Sequence, residues 1–144
     1  MTREAPLQRA DFARFATLGT RWGDNDVYGH VNNVVYYAWF DTAVNALLVE
    51  AGTLDPATSP VVGLVADCRC SYFSSISFPD PVEIGIAVEH LGHSSVRYRL
   101  GVFKQGSESA AAQARYTHVY VERATQRPVA MPAAVRALLQ PLKR

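Results

Sequence analysis

The stretch RWGDNDVYGHVNN, residues 21–33, leads directly into an apolar run, VVYYAWFDTAVNALLV, residues 34–49. The run predicts a helix over 32–51, which Gly52 and Pro56 would end. It is apolar on nearly every side, which is typical of a helix that other elements enclose in a core. The polar loop lies at the helix start, where unpaired backbone N–H groups favour a developing oxyanion. A carboxylate beside such donors would make half of an acyl-transfer site.

The segments after the helix have the pattern of strands. Two of them alternate apolar and polar residues with the period of a half-buried strand, and the turns around Gly92 and Gly106 are short enough for hairpins. We therefore predict one strand, the buried helix, four antiparallel strands in a meander and a short terminal helix, an α+β arrangement. The predicted strands cover residues 16–22, 61–72, 82–89, 95–102 and 113–122, and the terminal helix covers 132–140.

Length and composition restrict the class of protein. With 144 residues, 49% hydrophobic and 19% charged, the chain is expected to form one globular domain over 1–144. Its net charge of +1 gives no support for nucleic-acid binding, and no basic helix indicates a membrane surface. The N-terminus lacks the apolar centre of a signal peptide, and no stretch is apolar for long enough to span a bilayer, so we expect a cytoplasmic protein. Cys68 and Cys70 are interpreted as reduced packing residues.

The loop and the helix together resemble a known signature. The spacing Asp-x-Asp-x-x-Gly-His-Val-Asn-Asn, followed by Tyr-x-x-x-Phe-Asp, is similar to that of the hotdog-fold acyl-CoA thioesterases of the 4-hydroxybenzoyl-CoA thioesterase type. The matching residues are Asp24, Asp26, Gly29, His30, Val31, Asn32, Asn33, Tyr36 or Tyr37, Phe40 and Asp41, with weaker matches at Tyr72, 78–83 and 91–96. The resemblance runs from about residue 17 to residue 121. It implies a curved, five-stranded antiparallel sheet wrapped around one long central helix, in a homodimer or a homotetramer.

The resemblance also implies a hydrolase that cleaves an acyl-CoA thioester, with an acyl carrier protein thioester as a further possible substrate. Asp26 matches the catalytic carboxylate, which acts as nucleophile or as general base. Asn33 matches the position whose backbone N–H polarises the thioester carbonyl. His30 would orient Asp26 or the carbonyl, or protonate the leaving thiolate. Taken from its residue type alone, Asp26 could equally cap the turn into the helix.

Further residues are predicted around this catalytic group. Tyr28, Gly29 and Tyr36 would bind the acyl part of the substrate. The hairpin Gly92-His93-Ser94 would contact the pantetheine and nucleotide end of coenzyme A, as it does in relatives. Asp24 is interpreted as structural, bonded to loop amides or to Arg21, because two acids cannot share one small pocket cheaply.

No cofactor is expected, and a metal held by Asp24, Asp26 and His30 is disfavoured because no further ligand completes a set. Two other functions remain open at this stage: a hotdog hydratase acting on enoyl or 3-hydroxyacyl thioesters, and a non-catalytic dimer that binds acyl thioesters. The sequence does not identify the acyl group.

Overall fold

The computed structural model describes residues 4–144; the first three residues of the predicted 1–144 domain lie outside that range. The chain forms one sheet, one long helix and one short helix. The strands are β1 (Arg14–Leu18), β2 (Val61–Tyr72), β3 (Val82–Leu91), β4 (Ser95–Lys104) and β5 (Ala112–Glu122), and the helices are α1 (Asn33–Glu50) and α2 (Ala133–Leu139). Short 3₁₀ turns occur at Arg9–Asp11, Trp22–Asp24 and Gln140–Leu142. None of the helices in the described range is long and apolar enough to cross a membrane.

The sheet is antiparallel throughout, with the strand order β1-β3-β4-β5-β2. The five strands, the long helix and the terminal helix confirm the predicted fold class. The predicted four-strand meander is wrong for β2, which pairs with β5 instead of β3. Short hairpins hold β3, β4 and β5 side by side, and β1 occupies the free edge of β3. Strand β2 pairs along the other edge of this group, that of β5.

The first strand is shorter than predicted. It ends at Leu18 instead of residue 22, and Trp22–Asp24 form a 3₁₀ turn. The cause is local, because Asp24 Oδ2 accepts a hydrogen bond of 2.7 Å from the Arg21 backbone N–H and so closes a turn of three residues. Side chains of Asp, Asn and Ser that bond nearby amides commonly interrupt extended structure in this way.

Helix α1 lies across the inner face of the sheet. Asn32 caps it with its side-chain oxygen, which accepts a 3.0 Å hydrogen bond from the Val34 amide, and Gly52 follows its end with a φ of +75°. Phe40, Val44 and Leu47 are buried against the sheet. The prediction that the helix is enclosed on all sides is wrong for the single chain, because a single sheet covers only one side of a helix. Val34 is exposed, and Tyr37 has an exposed fraction of 38%.

The outer face of the sheet is also partly covered, which the sequence pattern did not indicate. The segment before β1 lies across it and places Phe12 over Gly85 and Gly101. A Cβ atom at either glycine would lie within 2.7 Å of the Phe12 ring, so only glycine leaves room for this contact. Phe12, Phe103 and Ala110 form a small second core there. Strand β3 is therefore buried on both faces over much of its length.

Candidate active site

Three contacts hold the loop between β1 and α1 against residues 76–78. The Asn25 side-chain oxygen accepts a hydrogen bond of 3.0 Å from the Phe78 amide, and the Val31 amide donates to the Ile76 carbonyl at 2.7 Å. The Ser77 hydroxyl donates to the Gly29 carbonyl at 2.8 Å. The loop is thus fixed at both ends, and its polar side chains have defined positions beside the start of α1.

The two acids of the loop have different surroundings. Asp24 has an exposed fraction of only 1%, and its carboxylate contacts the Arg21 guanidinium at 2.8 and 3.0 Å as well as the Arg21 backbone amide. Its backbone carbonyl also accepts from the Asn32 amide. These bonds confirm the predicted contacts of Asp24 with Arg21 and leave its carboxylate little capacity for a substrate.

Asp26 is half-buried, and one of its carboxylate oxygens takes part in a turn. Oδ1 accepts a hydrogen bond of 2.9 Å from the Tyr28 amide, and the Asp26 amide donates to the His30 carbonyl at 2.8 Å. The turn needs Gly29, which has a φ of +82°. Within residues 4–144, no hydrogen bond reaches Oδ2. Asp26 therefore has a turn-forming oxygen and a second oxygen that is free to act on a ligand.

A cleft of about 400 Å³ brings together Asp26, His30 and Asn33, the three predicted catalytic residues. The Asn33 amide is the first of α1, and among the described residues it has no acceptor, since Asn32 caps the next amide instead. Unpaired amides at a helix start attract negative charge. One cleft is therefore lined both by a residue that carries a carboxylate and by the residue whose amide begins α1.

An aromatic pair forms another wall of this cleft. The rings of Tyr36 and Tyr72 pack edge to face with 5.1 Å between their centroids, and the Tyr72 hydroxyl lies 3.4 Å from the Asn33 carbonyl. Burial raises the pKa of Tyr36 to about 12 and raises the pKa of Tyr72 as well, so both phenols keep their protons at neutral pH. Tyr36 was predicted from the sequence. The positions of Tyr72, Ser74 and Ser75 in this cleft were not predicted: Tyr72 is the last residue of a regular strand pattern, and residues 73–75 show no periodic signal.

A second cleft, of about 470 Å³, lies on the other side of Asp26. Trp22 and Val27 line it, and Trp22 is 82% exposed, with its ring packed edge-on against Phe78 at 6.0 Å. Neither residue was singled out from the sequence. Their positions before Asp24 and after Asp26 were the sequence feature that could have indicated an apolar wall beside the acids.

Tyr28 and the hairpin Gly92-His93-Ser94, also predicted to bind the substrate, line neither cleft within one chain. Tyr28 is 82% exposed, lines neither cleft, and contributes its backbone amide to Asp26. The hairpin Gly92-His93-Ser94 joins the far ends of β3 and β4, whereas the loop lies near the start of β3. The ten residues of β3 span roughly 33 Å, which separates the hairpin from Asp26.

Asp41 on α1 belongs to a separate polar network. The Tyr116 hydroxyl donates to Asp41 Oδ1 at 2.6 Å and lies 3.0 Å from His118 Nε2. His118 is 2% exposed, and burial lowers its pKa to about 4 although Asp41 acts in the opposite direction. Its Nδ1 and the hydroxyls of Tyr98 and Tyr120 are buried without a hydrogen-bond partner among the described residues.

No group of three or more His, Cys, Asp or Glu side chains within residues 4–144 is placed to hold a metal ion. In particular, Asp24 is bonded to Arg21 instead of sharing a site with Asp26 and His30.

This architecture, a curved antiparallel sheet with one long helix across its inner face, is the hotdog fold. The sequence profile of the thioesterase-like superfamily matches residues 20–139. The chain therefore belongs to that superfamily and is a thioester hydrolase.

Solved structures of similar proteins agree with this assignment of the fold. The PA5185 protein of Pseudomonas aeruginosa is 48% identical, with 97% of each chain covered and a TM-score of 0.93. Two more distant structures show the same fold. The BH1999 gentisyl-coenzyme A thioesterase is 23% identical over 88% of this chain and 99% of its own, with a TM-score of 0.77. The 1,4-dihydroxy-2-naphthoyl-CoA thioesterase from Synechocystis is 11% identical over 88% and 94%, with a TM-score of 0.79. No curated protein matched the sequence.

Proposed function

We propose that this protein hydrolyses an acyl-CoA thioester to a carboxylic acid and free coenzyme A. The observation that carries the proposal is the single cleft lined by both Asp26, with its carboxylate, and Asn33, whose backbone amide has no acceptor among the described residues. Acyl transfer needs a nucleophile or base on one side of the carbonyl and a donor for the oxyanion on the other. Support for coenzyme A thioesters comes from the two neighbours of the same fold that are named as CoA thioesterases.

The free oxygen of Asp26 can act in two ways. As a nucleophile, it attacks the thioester carbon, the C–S bond breaks, coenzyme A leaves as a thiolate, and water then hydrolyses the mixed anhydride. As a general base, it takes a proton from a water molecule that attacks the same carbon. In both routes the Asn33 amide donates to the carbonyl oxygen as negative charge develops. His30 lines the same cleft, where its imidazole can orient the carbonyl or protonate the leaving thiolate.

The test is thiol release from a panel of acyl-CoA substrates that covers short, long and aromatic acyl groups. Asp26→Asn should lower kcat by at least roughly a hundredfold while KM stays within a few-fold, because the reactive oxygen is lost but the shape is kept. Asp80→Asn, a partly exposed acid outside both clefts, is the matched control and should keep full activity. Full turnover by Asp26→Asn would sink the assignment. Enoyl hydration, or binding without turnover in the wild type, would favour the hydratase or the non-catalytic dimer.

The second part of the proposal is a homodimer formed through β2. This is the longest strand, yet it lies at an edge of the sheet, and a long unpaired edge favours pairing with another chain. Leu64 and Val65 on β2 are exposed, and so are Val34 and Tyr37 on the neighbouring side of α1. An exposed apolar area of this kind is typical of a protein interface.

A two-fold axis across β2 would also complete the site. It reverses the strand direction, so the partner's Val61 end would lie beside Tyr72 of the first chain. Cross-strand register places the hairpin Gly92-His93-Ser94 at the Val61 end of the sheet. The partner's hairpin would then approach the cleft that holds Asp26, where it could contact the pantetheine and nucleotide end of coenzyme A. A dimer of dimers remains compatible with this arrangement.

Sedimentation velocity, read beside activity, tests the dimer. Val65→Lys places a charge on the exposed part of β2 and should yield monomers with reduced turnover, since half of the binding surface is lost. Gln105→Lys adds the same charge in the exposed β4–β5 turn and should remain dimeric and active. A fully active wild-type monomer at assay concentration would refute the shared site.

A further inference from the structure

Three arginines face one another across the outer face of the sheet. Arg99 on β4 is directly opposite Arg115 on β5, which is directly opposite Arg69 on β2. Side chains at such positions share one face, with Cβ atoms about 4.5–5.5 Å apart, and like charges placed there repel. A negative charge bound at this arginine row would relieve the repulsion among the three guanidinium groups, which isolated surface arginines do not experience.

The acidic residues of the protein neutralise the positive charge of the row only in part. Glu89 Oε1 lies 3.7 Å from Arg99 Nη2 and 3.5 Å from Arg115 Nη2, whereas a charge-assisted N–H···O bond is about 2.7–2.9 Å long. None of the three guanidiniums of the row donates a hydrogen bond to another residue in the described range. Other arginines of the chain do donate to carbonyl oxygens at 2.6–2.7 Å: Arg9, Arg123 and Arg136. Within residues 4–144, the donors of the row are thus available to a ligand.

The row lines a groove of about 400 Å³, a size that suits a small molecule. The segment before β1 forms one wall, and Gln113, which is 5% exposed, fixes this wall in place. Its Oε1 accepts from the Leu7 amide at 2.7 Å, and its Nε2 donates to the Ala5 carbonyl at 3.0 Å and to a Glu4 carboxylate oxygen at 2.8 Å. The groove is therefore a built cavity and not a gap beside a loose segment.

Glu4 places a carboxylate in this groove, and its surroundings stabilise the charged form. Its carboxylate accepts a 2.6 Å hydrogen bond from the Ser71 hydroxyl. The bonds from Ser71 and Gln113, together with the positive charges of Arg69 and Arg115, lower the pKa of Glu4. The surroundings stabilise negative charge, and they retain more guanidinium groups than the carboxylates of Glu4 and Glu89 can neutralise.

The groove lies on the opposite side of the sheet from the candidate active site. Arg69 and Ser71 line it on the outer face, whereas Tyr72, the next residue on β2, packs against Tyr36 of α1 on the inner face. Pairing through the edge of β2 would extend the sheet in its own plane and leave the outer face open.

We propose that the arginine row of Arg69, Arg99 and Arg115 binds the dianionic phosphate group of a small molecule, at a site separate from Asp26. A guanidinium fork matches the oxygen geometry of phosphate, and two neighbouring forks can hold one phosphate between them. The phosphate can be free or can belong to a nucleotide, because the volume of the groove accommodates more than the anion alone.

Isothermal titration calorimetry on the full chain, in phosphate-free buffer at low salt, tests this site with two probes: inorganic phosphate and adenosine 3′,5′-bisphosphate. Arg115→Gln removes the central guanidinium and should weaken binding of both probes roughly tenfold or more, as expected for the loss of a charge-assisted partner. Glu4→Gln can still accept from Gln113 and can donate to the Ser71 hydroxyl, but it removes a like charge, so it should tighten binding at least about twofold. Arg127→Gln, an exposed arginine in the turn after β5, is the control and should bind as the wild type does.

The outcomes are distinguishable from those of the proposed function. Asp26→Asn should bind both probes unchanged, whether or not it abolishes turnover. A nucleotide site gives tighter binding of the bisphosphate than of inorganic phosphate, and a site for free phosphate gives equal binding; both results support the proposal if Arg115→Gln weakens them. Absence of saturable binding to the wild type, or equal affinities for the wild type and Arg115→Gln, would overturn it.

Discussion

Replacing His118 with glutamine should reduce the loss of stability that the protein suffers in acid. His118 lies in the core with its ring against those of Tyr98, Tyr116 and Tyr120, and its only hydrogen bond in the described range is to the Tyr116 hydroxyl. Burial lowers its pKa to about 4, from an ordinary 6.5, and Asp41 on the other side of Tyr116 only partly offsets this. The folded protein therefore keeps His118 neutral at a pH where the unfolded chain would protonate it.

The sign and size of the effect follow from proton linkage. Between about pH 4 and 6.5 the unfolded chain binds one more proton at this residue than the folded chain does, so stability falls as the pH falls through that window. Well above pH 6.5, His118 is neutral in both the folded and the unfolded chain, so this loss of stability does not occur there. Integration of the two titration curves gives a loss of about 2 kcal/mol between pH 7.5 and pH 5 from His118 alone.

Urea unfolding at pH 7.5 and pH 5, at one fixed protein concentration, measures this loss. His118→Gln should reduce the difference in unfolding free energy between the two pH values by about 2 kcal/mol, whatever its effect at pH 7.5. His90→Gln, an exposed histidine on β3, is the control and should retain the wild-type difference. Equal pH dependence in His118→Gln and the wild type, or an NMR titration that gives His118 an ordinary pKa, would refute the reasoning.

Three other substitutions test the local structure. Asp24→Asn should lower the unfolding free energy by roughly 1.5–3 kcal/mol, because a buried charged acceptor of Arg21 is lost; an unchanged thermal midpoint would contradict this. Asn32→Ala removes the cap of α1 and should cost about 1 kcal/mol, measured by urea unfolding, whereas no change would show that another group caps the helix. Gly101→Ala would bring a Cβ to 2.6 Å from Phe12, so hydrogen exchange should show loss of protection at the Ala13 amide, which bonds the Ile86 carbonyl; wild-type protection there would mean that the segment adapts.

Much of the fold could be predicted from the sequence because its signals are local. The apolar run after Asn32 predicted the helix, and alternation of apolar and polar residues predicted β3 and β4. The short turns at Gly92 and Gly106 predicted the antiparallel pairing of β3 with β4 and of β4 with β5. The partner of β2 could not be read in this way. Its pairing with β5 joins residues that are about forty to sixty positions apart, and no local pattern records which free edge a strand will choose. The contact of Phe12 with two glycines is similarly distant.

The residues of the candidate site also differ in whether local sequence could predict them. The structural interpretation of Asp24 followed from the sequence, because two acids cannot share one small pocket cheaply, and its predicted contact with Arg21 is present. The position of Asn33 at the helix start also follows from the sequence. By contrast, residues 73–75 lie in an irregular segment just after Tyr72, the last residue of β2, and Trp22 lies in a turn that was predicted as part of the first strand.

The apolar character of α1 exceeds what one sheet needs. The inner face of the sheet accounts for Phe40, Val44 and Leu47, yet Val34 and Tyr37 on the other side are also apolar and stay exposed. A helix that only had to cover one sheet would carry polar residues on its second side. These exposed apolar residues of α1 favour a second surface that would cover them. The exposed residues of β2 adjoin this side of α1, and a two-fold copy on β2 would bring the hairpin that the site lacks. The prediction of a fully enclosed helix fails for one chain, and this failure is itself an argument for the assembly that would complete the active site.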